Sequence, residues 1–166
     1  LEAAVIGLEL CPFARAAHTQ GLIRYAVSSA DDPEQLLADL LRELRTPAEA
    51  EPGEIETTLL IHPDALPDFL DYNDFLDVAE AALEDLGLTG VLQIASFHPR
   101  YQFAGTAPDD IENYTNRSPY PILHLLRESS VERAVESYPD TDQIPERNIE
   151  TLRRLGLEGW KRLGIA

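Results

Sequence analysis

The side chains able to do chemistry gather between Phe97 and Glu128, in FHPRYQFAGTAPDDIENYTNRSPYPILHLLRE. Two of the four histidines stand here, His98 and His124, with Tyr101, Asn113, Asn116, Arg117, Arg127 and Glu128. Histidine is the side chain whose ordinary pKa, about 6.5, lets it exchange protons near neutrality, so a pair of them supplies an acid and a base. Arginine offers a planar fork of donors that matches a carboxylate or phosphate. The pattern therefore predicts acid/base chemistry on a small anionic substrate. His98, His124 and Tyr101 are the catalytic candidates, and Asn113, Asn116, Arg117 and Arg127 are the binding candidates. A rival reading is a binding module without catalysis, taking a small ligand or a divalent metal through His98, His124 and Glu128, with Asp109 or Asp110 as further oxygen donors. No HxH, HExxH or CxxC spacing supports a metal. The plain alternatives are His124 as a satisfied core residue on an alternating strand, and Arg117 or Arg127 paired with Asp109, Asp110, Glu112 or Glu128.

Two further features bear on this chemistry. His62-Pro63 repeats the His98-Pro99 dipeptide at the end of another strand-like run. If both strands run parallel, both imidazoles reach the carboxyl edge of the sheet, where open α/β sheets bind ligands; otherwise each one simply caps its strand. Cys11-Pro12-Phe13 resembles the CPF start of glutaredoxin-like and glutathione-transferase domains, which would make Cys11 a nucleophile. The expected preceding strand is missing and the downstream order of elements differs, so a buried, inert thiol is the competing reading.

Elements that could position these groups follow from periodicity. Ile23, Tyr25 and Val27 alternate within a strand over residues 22–28. Asp32-Pro33-Glu34-Gln35 opens a helix with apolar positions Leu36, Leu37, Leu40, Leu41 and Leu44, which is expected to end by Pro47. TTLLIH (57–62) reads as a strand buried on both faces. Leu66, Phe69, Tyr72, Leu76, Ala79, Leu83 and Leu86 recur at helical spacing up to Gly87. Strands are predicted over 91–97 and 122–128, then a short helix with Ser129 and Glu132 as a capping box, then a helix opened by Pro145. Upstream, LEAAVIGLEL suits a helix whose beginning is expected before Leu1. The order β-α-β-α-β-loop-β-α-α predicts one α/β domain over 1–166, with four principal strands and helices packed on the sheet. His98, Tyr101, Asn116, Arg117, His124 and Arg127 are then expected to converge on one pocket at a sheet edge.

Composition narrows the partners. Thirty acidic against 13 basic side chains give a formal net charge of -17. That sign repels phosphate backbones and anionic membranes, so neither nucleic acid nor a membrane surface is an expected partner. A single cysteine, the lack of a signal-peptide pattern and the lack of a long apolar run predict a cytoplasmic protein.

The segments VIGLELCPFA, RYAVS, TLLIHP, DFLDYNDFLDVAEAAL, FHPRYQF, NRSPYPILHLLRE and ERNIETLRRLG together resemble the bacterial domain-of-unknown-function family numbered 1415. The resemblance spans nearly the whole chain. It implies a self-contained domain focused on the 97–128 stretch, and it implies no substrate or cofactor.

Overall fold

The computed structural model describes residues 1–51, 53–138 and 140–165. Four strands, β1 (Ile23–Val27), β2 (Thr57–Ile61), β3 (Leu92–Phe97) and β4 (Ile122–Arg127), form one sheet in the order β1-β2-β4-β3. β1 and β2 pair in parallel, while β4 lies antiparallel between β2 and β3. Ile61 and Phe97 both oppose Ile122, so β2 and β3 end at the same edge and deliver His62 and His98 there together.

The expected helices pack on this sheet in an α/β arrangement. α2 (Pro33–Glu49) starts at Asp32, whose carboxylate accepts the Gln35 backbone N–H at 2.8 Å, the capping read from the sequence. α3 (Phe69–Asp85) starts at Asp68, which accepts the Leu70 N–H at 2.9 Å. Leu36, Leu40 and Leu44 of α2 and Tyr72, Phe75, Ala79 and Leu83 of α3 are buried against Leu60, Leu92, Leu123 and Leu125 of the strands. Each buried leucine contributes about 1.5–3 kcal/mol relative to exposure, so this face carries most of the apolar stabilisation. The acidic face Asp71, Asp74, Asp77 of α3 is exposed, a solvated surface. A second cluster, Ala4, Leu152 and Trp160 with Leu8, Ile111 and Tyr114, joins a π-helical turn (Glu2–Ile6), a 3-10 turn (Ile111–Thr115) and α5 (Ile144–Arg162).

Several local expectations are corrected. α2 continues through Pro47 because the proline lies in its last turns: only one N–H is missing, and Ala50 N–H still donates to Thr46 O at 3.1 Å. Residues 1–10 hold a π-helical turn followed by turns, with Glu9 in the left-handed region, instead of a continuous helix. α1 (Ala14–Thr19) forms directly after Pro12, where no helix was expected. β2 is fully covered at Thr57, Thr58 and Leu60 but only partly at Leu59 and Ile61. α4 (Glu128–Ser137) begins one residue before Ser129, and its cap residue Arg127 makes no side-chain cap bond. Ser130, not Ser129, is the engaged hydroxyl, donating to Glu56 on the loop before β2. α5 is broken at Gly156, whose φ of 67° is open to glycine and strained for other residues. No helix among the described residues is long and apolar enough to cross a membrane.

One hydroxyl joins the layers. Tyr72 O–H donates to Ile122 O at 2.8 Å and its oxygen accepts the Phe97 N–H at 3.2 Å, tying α3 to the end of β3 and the start of β4. Replacing Tyr72 by Phe leaves two partly buried backbone groups without this partner, and a loss of about 1 kcal/mol in urea unfolding is expected. An unchanged midpoint would remove the hydroxyl from this role.

Candidate functional site

At the carboxyl edge of the sheet, the turn between β2 and α3 is held by side chains on three successive carbonyls. His62 Nδ1–H donates to Ala65 O at 3.1 Å, His98 Nε2–H to Leu66 O at 3.3 Å, and Arg100 Nη2 to Pro67 O at 2.5 Å. Arg100 also reaches the Asp68 carboxylate at 3.2 Å. Leu66 has a φ of 53°, a strained conformation for a branched side chain, so the turn needs these restraints.

The two His-Pro dipeptides thus meet, and both imidazoles are fully buried. His98 Nδ1 accepts the Arg100 N–H at 3.0 Å, so both of its nitrogens are engaged and the ring is the neutral Nε2–H tautomer. Burial lowers its pKa. His62 Nε2 has no hydrogen-bond partner among the described residues, and burial pushes that imidazole down to about 4. Tyr72 stacks on His62 at 5.8 Å and lies 5.1 Å from His98, while Phe69 lies 5.1 Å from Tyr101. Aromatic packing of this kind fixes ring positions as well as excluding water.

Loop 98–121 is organised from within. Asn113 is buried, donates through Nδ2 to Ala107 O at 2.8 Å and accepts the Phe103 N–H at 3.0 Å. Asn116 donates to Ser96 O at 3.1 Å, and its carbonyl accepts the His98 N–H at 3.2 Å, which anchors the loop on β3. Arg117 donates from Nε to Tyr101 O at 3.2 Å and from Nη2 to Pro108 O, with its guanidinium 4.3 Å from the Tyr114 ring centre. Its expected acidic partners are otherwise arranged: Glu112 pairs with Arg153, and Asp110 accepts the Ala107 N–H at 2.8 Å. Arg117 makes no ion pair among the described residues.

The remaining sequence candidates do not join this group. Leu123 and Leu125 face the core, so alternation turns His124 to the opposite face of the sheet from His98. There its Nε2–H donates to Thr57 Oγ1 at 2.5 Å, whose own hydrogen goes to Leu125 O at 2.8 Å. Arg127 ends β4 at the opposite edge, donating to Ile55 O and Ala50 O, each at 2.8 Å, and to Pro47 O. The predicted convergence of all six residues therefore does not occur. Glu128, at the start of α4, lines a separate cleft of about 540 Å³ with Asp77, Glu80 and Glu84 of α3. His98, His124 and Glu128 are thus too dispersed to ligate one ion, and among the described residues no three His, Cys, Asp or Glu side chains form a metal-holding group. Cys11 is half-buried; its neighbour Leu10 accepts a bond from Asn148 of α5, and Phe13 packs edge-on against Tyr138.

What the loop and α3 do enclose is a cleft of about 460 Å³, lined by Asp68, Phe69, Leu70, Arg100, Gln102, Pro108, Asp109 and Arg117. Of these, sequence reasoning had singled out Arg117 and Asp109. Asp68 is marked in the sequence as a helix start by its position before an apolar run. Arg100 and Gln102 carry no motif beyond following the His98-Pro99 dipeptide.

Burial of the histidines has a consequence for stability. An unfolded imidazole binds a proton near pH 6.5, whereas burial holds His62 and His124 at about 4, so the unfolded state binds more protons between these values. Stability is then full above the unfolded pKa and falls as pH drops from about 6.5 toward 4. Each such imidazole accounts for about 1.5 kcal/mol of loss between roughly pH 6.5 and 5. His124→Leu is expected to remove that share from urea titrations at the two pH values. An unaltered pH dependence in this variant would contradict the assignment.

Comparisons with known proteins add a family and no activity. No curated protein matches the chain, and no solved structure matches it. A family model described as Protein of unknown function (DUF1415) matches residues 1–162, and the chain belongs to that family.

Proposed function

We propose that this domain binds a small anionic molecule in the cleft between the first turn of α3 and loop 98–121, with Arg117 as the anchor. The observation that carries this reading is the state of the Arg117 guanidinium. Two backbone carbonyls and the face of Tyr114 fix its orientation, yet it has no carboxylate partner among the described residues and Nη1 remains without a bond. A cation held this way loses little freedom on binding, which favours affinity. Arg100 lines the same cleft but is already paired with Asp68.

Binding is favoured over acid/base catalysis by the bonding of the histidines. His98 uses both nitrogens on the protein's own backbone, His62 is fully covered, and His124 faces away. None of them lines the cleft.

The test is a titration of the intact chain with acetate, benzoate and inorganic phosphate, followed by amide chemical shifts and calorimetry. Saturable shifts are expected around Tyr101, Pro108 and Arg117. Arg117→Gln should weaken binding at least about tenfold, or 1.4 kcal/mol, as loss of a charge-assisted hydrogen bond predicts. Arg147→Gln, remote on α5, should leave it unchanged. Absence of saturable binding by all three anions would sink the proposal.

A further inference from the structure

Two opposite charges line this cleft and do not neutralise each other. Arg117 has no acidic partner among the described residues, and the carboxylate of Asp109, on the same wall, makes neither a hydrogen bond nor an ion pair there. Across the cleft, Asp68 and Arg100 are already paired with each other at 3.2 Å. The unused groups are therefore one cation and one anion, next to an apolar ridge made by Phe69 and by Leu70, which is 71% exposed. A leucine in the first turn of a helix, left in water beside a charged cleft, gains from an apolar group laid against it.

Resting on the anion-binding reading above, we infer that the ligand is a zwitterion of the α-amino acid class with an apolar side chain, its carboxylate on Arg117, its ammonium on Asp109 and its side chain against Phe69 and Leu70. The overall field supports the same class. A free carboxylate must approach a chain of net charge -17, whereas a zwitterion carries no net charge and meets no such long-range repulsion. Inside the cleft, a ligand with one charge only would leave either Arg117 or Asp109 without a counter-charge. A cleft of about 460 Å³ accommodates a single amino acid.

Calorimetric titration of the intact chain with L-leucine and L-phenylalanine tests this, against isocaproate and hydrocinnamate, which lack the ammonium, and isoamylamine and phenethylamine, which lack the carboxylate. The amino acids are expected to bind at least about tenfold more tightly than either set of analogues. Asp109→Asn alters an exposed side chain without a hydrogen bond or ion pair among the described residues, so the fold should be intact; it should weaken the amino acids about tenfold and leave the carboxylates unchanged. Arg117→Gln should weaken both. Equal binding of amino acids and carboxylates, with no effect of Asp109→Asn, would overturn the zwitterion assignment while leaving the anion site standing. Preference for the amines would overturn it as well, and failure of every compound to bind would overturn both.

Discussion

The Tyr72 hydroxyl is the point on which the carboxyl edge of the sheet depends. β3 and β4 are paired up to Phe97 and Ile122 and diverge there into the 98–121 loop. A buried phenol that donates to Ile122 O and accepts from Phe97 N–H ties that end of the ladder to a third element, α3. The same ring then provides the surface on which His62 and His98 pack. Burial raises the phenol's own pKa, which keeps its O–H a donor at neutral pH.

From that anchor outward, the polar chemistry of the loop region is mostly directed at backbone. His62, His98 and Arg100 hold carbonyls of the β2–α3 turn, and Arg117 and Asn113 hold carbonyls of the loop itself. Long irregular segments carry many backbone groups that no ladder satisfies, and side chains with several donors are the economical partners for them. At the far edge Arg127 does the same for Pro47 O in the last turn of α2 and for Ala50 O and Ile55 O of the α2–β2 connection. This explains why arginine in so acidic a chain is found on carbonyls as well as on carboxylates. Its fork of donors reaches several acceptors at once, and its charge is not essential to the bonding.

The fold was legible because its signals are local and repeated. Strand alternation at Ile23, Tyr25 and Val27, leucines at helical spacing after Asp32, and the two His-Pro dipeptides each point to the element that is found. The failures have physical causes. Proline was read as a stop at position 47, but the penalty is one missing N–H near an end already stabilised by burial of Leu36, Leu40 and Leu44. Ser129 and Glu132 have the spacing of a capping box without capping, because the strand continues straight into the helix at Glu128 and the extended cap position falls on Arg127, which places Ser129 inside the first turn. For the candidate site, density of polar residues singled out the 97–128 stretch, and the structure separates the members named in it. His124 and His98 have similar distances in sequence from the loop, yet strand parity decides which face each one sees, and parity is fixed only once Leu123 and Leu125 are known to be the buried pair.

The distinction between scaffold and site therefore lies in counting bonds, and residue type does not settle it. His98 and Asn113 have the chemistry expected of catalytic or binding groups, but every strong donor and acceptor they own is matched by backbone within the same domain. A ligand could use them only by breaking those bonds, and an orphaned buried polar group costs about 1–3 kcal/mol. Arg117 differs because its carbonyl partners fix the plane of the guanidinium and leave one edge unengaged, so nothing has to be broken before a ligand is bound. The bonds that make most of this stretch structural also leave Nη1 of Arg117, a residue lining the cleft, without a partner among the described residues.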